Sequence, residues 1–114
     1  MLKQRRAAAD AVRATFLPAE HAQDQAAIRA ARCLATALEA RATANLPLGT
    51  GVDAIAHLCR GTALAVEARQ SFIAAHRALS VLPADIGLGV VAWGDSGGCP
   101  DIEPTGRASL AAVA

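Results

Sequence analysis

Two alanine-rich spans, residues 19–46 and 48–82, constrain this chain more than any other feature, because each is free of proline, bounded by proline and patterned as a helix. In the second span Leu58, Gly61, Ala65, Ala68, Phe72, Ala75, Leu79 and Leu82 follow one another at alternating steps of three and four residues. That is a heptad row, the signature of a helix with one apolar seam. A neighbouring row, Val52, Ile55, Cys59, Thr62, Val66 and Ile73, widens the apolar face beyond what one partner helix covers.

The first span repeats the pattern with smaller side chains. Ala26, Ala30, Cys33, Ala37, Ala40 and Ala44 keep the same spacing and are flanked by Ala27, Ala31, Leu34 and Leu38. Opposite them Gln25, Arg29, Arg32, Thr36, Glu39 and Thr43 form one polar row for water, with Arg41 placed to snorkel from its edge.

Local signals set the helix ends. Pro18 suits a first helical position, since its fixed φ and missing N–H cost nothing there, and Glu20 favours the positive end of the helix dipole. Pro47 disfavours helical geometry in the residue before it, so the helix is expected to stop near Asn45, with a short connection after it. Thr50 is the expected cap of the second helix, with Asp53 as its reciprocal partner, and Pro83 is expected to close that helix. The pattern therefore predicts an all-α fold, a long antiparallel helical hairpin with helices at about 18–45 and 50–82. A short basic helix over 1–16 precedes the hairpin of 17–82, and an irregular Gly- and Pro-containing tail over 83–114 follows it.

A helix of about 30 residues is about 45 Å long, so an elongated molecule is expected. Two helices enclose no interior, and the surplus apolar face calls for further helices, from residues 1–16 or from another copy. A homodimer closing into a four-helix bundle is the simplest solution, with higher homo-oligomers also possible. The residues expected to carry self-association are Leu58, Gly61, Ala65, Ala68, Phe72, Ala75 and Leu79, with Leu34 and Leu38 from the first span.

Composition fits one folded unit: 54% of the residues are hydrophobic and 18% charged, which excludes a disordered profile. Aromatic residues make up only 3%, so packing falls to Leu, Ile, Val and Ala. The opening stretch lacks the apolar core of a secretion signal, and no apolar run is long enough to span a membrane, so a soluble, cytoplasmic protein is expected. Charge is uneven: residues 1–49 carry seven basic and four acidic side chains, whereas 83–114 carry one and four. Lys3, Arg5, Arg6 and Arg13 are the candidate contacts for nucleic acid, yet no reading motif accompanies them, and a solvated basic arm is the favoured reading.

Other chemistry is sparse. Cys33, Cys59 and Cys99 have no C-x-x-C spacing and read as free thiols. Folding the hairpin brings His21 towards the level of His76, with Glu20 and Asp24 close by, but both histidines read as ordinary surface residues near helix ends. No metal or cofactor site is assigned. Gly94-Asp95-Ser96-Gly97-Gly98 resembles the nucleophile motif of trypsin-like serine proteases, and Ala74-Ala75-His76 resembles part of their histidine motif. That match is rejected, since His76 lies inside a predicted helix twenty residues before Ser96 and the required β fold is absent. In length and helix number the chain also resembles the secreted WXG-type hairpins, but Leu46-Pro47-Leu48-Gly49-Thr50 stands where they carry a Trp-x-Gly turn.

The favoured function is a non-enzymatic scaffold, adaptor or assembly subunit, of the kind small phage and mobile-element proteins provide, whose partner is itself and possibly another protein. A nucleic-acid-associated regulator and a ligand- or metal-binding bundle are the alternatives.

Overall fold

The computed structural model describes residues 1–89, which form two α-helices, α1 (Leu2–Thr43) and α2 (Val52–Asp85), packed against each other as a helical hairpin. No strand occurs among the described residues. The predicted tail anchors Val91 and Trp93, the protease-like string at 94–98 and Cys99 lie outside them.

α1 runs unbroken where the sequence predicts a short helix, then a second one starting at Pro18. A proline inside a helix removes the N–H that would reach the carbonyl four residues back, here that of Ala14, and crowds it. The helix continues because Pro18 and Ala14 are both exposed, so water can serve the released carbonyl, while the residues either side of them keep one buried phase. Ala9, Arg13, Phe16, Glu20, Gln23, Ala27, Ala30, Leu34, Ala37 and Arg41 are buried or half-buried and follow alternating steps of four and three. This row shares Ala30 and Ala37 with the predicted one but buries Ala27 and Leu34, leaving Ala26, Cys33, Ala40 and Ala44 exposed. Phe16 sets that phase: it is one of the few buried side chains among the described residues, and burying Leu34 removes more apolar area than burying Cys33.

Both helices end in the same local device. Asn45 takes a left-handed φ of 61°, and the Leu46 and Asn45 amides donate to the Arg41 and Ala42 carbonyls at 3.1 and 3.0 Å. At the other end Gly87 has φ 83°, with Leu88 N–H donating to the Pro83 carbonyl at 2.8 Å and Gly87 N–H to Ala84 at 3.2 Å. These are Schellman caps, which satisfy carbonyls that the helix leaves open. α2 therefore ends two residues beyond Pro83, because Gly87 tolerates the left-handed step and Leu88 folds back to 8% exposure. At its start the cap is Gly51, whose carbonyl accepts from Ile55 N–H at 2.9 Å, rather than Thr50. Asp53 does lie in the first turn.

The described residues divide into two compact units, Met1–Arg13 with the residues from Ile73 onward, and Ala14–Phe72. In the first, the Arg5 guanidinium donates to the Ile86 carbonyl at 3.1 Å, and Val12 shares an apolar groove with Leu79, Leu82 and Ile86. In the second, the Phe16 and Phe72 rings stack with centroids 5.6 Å apart, and Arg69 Nε donates to Asp24 Oδ1 at 2.8 Å. That ion pair is two-fifths exposed on both sides and adds at most about 1 kcal/mol.

Glycines at two positions have opposite roles. Nothing lies within 4 Å of where a Cβ on Gly61 would sit, so this chain makes no close backbone approach there. Gly61→Ala is expected to raise stability by about 1 kcal/mol through helix propensity. Gly87→Ala is expected to lower it by about 1 kcal/mol through strain at the left-handed φ. Urea unfolding of the two variants against the parent chain measures both signs.

Candidate interaction surface

Most of the predicted α2 row is covered within the chain. Leu58, Ala65, Ala68, Phe72, Ala75 and Leu79 are half-buried, as is Leu34 on α1. The row that faces α1 also takes in Ile55, Thr62, Arg69, His76, Pro83 and Ile86. Of the nine residues expected to carry self-association, only Gly61 and Leu38 are exposed. The others already serve the hairpin's own seam.

His76 differs from its predicted place on the surface: at 1% exposure it is the most buried side chain described. Its position in the seam four residues after Phe72 dictates this, and Ser80 Oγ donates to its carbonyl at 2.7 Å. The alternating spacing of α2 contained that signal, since Phe72, His76 and Leu79 continue the four-three rhythm. His21 and Cys33 are exposed, and no group of three or more His, Cys, Asp or Glu suited to a metal ion occurs among the described residues.

The basic N-terminus is partly occupied by the fold. Arg5 is held by the Ile86 carbonyl, and Arg13 lies half-buried in the seam of α1 with its Nε buried. Lys3 and Arg6 are exposed. Two such cations make a weak phosphate surface.

What stands out is apolar. Among the described residues only Phe16, Ala27, His76, Pro83 and Leu88 are buried, whereas Ile28, Leu38, Leu46, Leu48, Val52, Leu64 and Val66 are all exposed by more than a third. These seven all lie within Ala14–Phe72. In that unit a groove on one flank is lined by Ala37, Ala40, Ala44, Ala54 and Ile55, which places Ala40 and Ala54 on the same side of the hairpin. The opposite flank carries Ile28, Leu38, Val52 and Val66, by helical geometry. No charged residue shares those rows between Ile28 and Ala42 on α1 or between Val52 and Gln70 on α2. Exposed Cys59, a free thiol, lies in the middle of the α2 row.

No helix among the described residues is long and apolar enough to cross a membrane. No protein-family model matches the chain, and neither does any curated protein or solved structure.

The Phe16 and Phe72 rings stack across the seam, which gives them a measurable coupling. Phe16→Ala and Phe72→Ala are each expected to cost about 2–3 kcal/mol, with a coupling of about 1 kcal/mol in the double variant. A urea double-mutant cycle followed by far-UV circular dichroism measures these values.

Proposed function

We propose that this chain is a non-enzymatic assembly subunit: a helical hairpin that self-associates into a helical bundle and serves as a scaffold or adaptor. The single observation carrying this reading is the inversion of its apolar surface, with five buried residues among the described ones against twelve large hydrophobic side chains left exposed. Exposed apolar area of this extent marks an interaction site, because its burial is the main favourable term in association. The heptad spacing on both helices suits coiled-coil packing with further helices. A cytoplasmic setting, where thiols stay reduced, accords with two exposed free cysteines.

The test is the solution mass of the full chain in reducing buffer. Light scattering after size exclusion is expected to give at least twice the 11.6 kDa chain mass, with a melting temperature that rises with protein concentration. A monodisperse, cooperatively folding monomer contradicts the proposal.

A further inference from the structure

The uncharged flank of Ala14–Phe72 has an internal symmetry. On α1 it reads Ile28, Ala31, Ala35, Leu38, at steps of three, four and three. On α2 it reads Val52, Ala56, Cys59, Ala63, Val66, at steps of four, three, four and three. Every one of these side chains is exposed. Each stripe runs large, small, large, and so presents the same order of sizes in either direction.

The two centres of symmetry lie close together along the hairpin. The α1 stripe is centred at the level of Cys33 and the α2 stripe at Cys59. Residues of an antiparallel pair advance on one helix as they retreat on the other: the Arg69–Asp24 bond puts Cys33 level with Arg60, and the Phe16–Phe72 stack puts it level with Ile55. These are one and four residues from Cys59, helical rises of about 1.5 and 6 Å. A surface whose two stripes reverse at neighbouring levels sets like-sized residues opposite one another when its copy is rotated by a half turn, the pairing of an isologous contact.

From this we infer that the flank binds a second copy of the chain across a two-fold axis at Cys59, with the two hairpins antiparallel. The inference rests on the self-association proposed above and names its face and register. α2 then meets α2 of the second copy so that Val52 faces Val66 of the other chain, Ala56 lies near Ala63, and Cys59 faces Cys59. Small residues at the centre let the helices approach closely, and the larger ones close both ends. The uncharged stretch from Val52 to Gln70 is about 27 Å long and two helices are about 20 Å wide, giving about 500 Å² per copy. Two copies reach the roughly 1,000 Å² that a specific interface needs. Nothing charged on the stripes offers an ionic partner a counter-charge.

Charge reversal tests the register in the full-length chain. Val66→Lys and Val52→Asp each place a charge opposite a valine, twice per dimer, and each is expected to weaken dimerisation by about tenfold or more in sedimentation experiments. Combining Val52→Asp with Val66→Lys is expected to restore the dimer, because each carboxylate meets an ammonium of the other chain. The two positions are fourteen residues apart on one helix and too distant to pair within a chain. Both residues are exposed, so helix content by circular dichroism is expected to hold. As a second measurement on otherwise native protein, a chain keeping only Cys59 is expected to cross-link to a dimer with a short bismaleimide. A chain keeping only Cys33, on the other flank, is expected not to.

The outcomes separate the two proposals. A monomeric parent chain overturns both. A dimer that tolerates both single substitutions, or that cross-links through Cys33 and not Cys59, keeps self-association and overturns this face. Loss of the dimer in the single variants without recovery in the double variant overturns the antiparallel register.

Discussion

Everything described depends on one contact, the seam along which α1 and α2 meet. Two helices touch along a narrow stripe, and each residue at the stripe is covered from one side only. This is why so many seam positions are half-buried, and why the buried set among the described residues is limited to Phe16, Ala27, His76, Pro83 and Leu88. The stacked phenylalanines supply bulk, and elsewhere along the seam the small residues Ala27, Ala30, Ala37 and Ala65 are buried or half-buried. Removing either kind of residue weakens the one interface the hairpin has.

The seam is also polar for its size. Arg13, Glu20, Gln23 and Arg41 occupy its α1 side, and Thr62, Arg69 and His76 its α2 side. Some of these satisfy themselves locally: Arg41 Nη1 donates to the Leu46 carbonyl at 2.9 Å, and Thr62 Oγ1 to the Leu58 carbonyl at 2.8 Å. Others reach across, as Arg69 does to Asp24. Polar groups in a helix seam contribute little net stability but penalise registers in which they lose their partners. In a chain built from interchangeable alanines that penalty has a use, because alanine rows alone fit together in many registers.

Much of this was readable from the residues. The steps from Leu58 to Leu79 identified the face of α2, since a heptad row is a local property that no tertiary contact needs to rescue. The end of α1 near Asn45 was readable for the same reason. Pro18 and Pro83 misled because helix rules for proline are statements about isolated helices. Here the phase of Phe16 carries α1 past Pro18, and the Gly87 cap carries α2 past Pro83. On α1 the choice between the Cys33 row and the Leu34 row could not be made from spacing, as both repeat equally well. Only the position of Phe16, eighteen residues or about five helical turns before Leu34, fixes which one turns inward, and that requires knowing the helix is continuous. His76 is buried because its place in the four-three rhythm between Phe72 and Leu79 outweighs the surface preference of a polar ring.

The contrast between seam and flank carries the functional reading. In a hairpin meant to stand alone, hydrophobic burial places the largest aliphatic side chains between the helices and the charges outside. Here Arg13, Glu20 and Arg69 sit along the seam while Ile28, Leu38, Val52 and Val66 face outward on a strip without charge. Register is thus specified inside, where polar partners are selective, and apolar area is kept outside, where it favours association. In the self-association proposed above, the division has a consequence for folding: the hairpin contact buries few complete side chains among the described residues, so covering the flank would add a large share of the apolar area removed from water. Folding and the proposed assembly would then be coupled through the same two helices, with the seam deciding their alignment and the flank deciding how firmly that alignment is held.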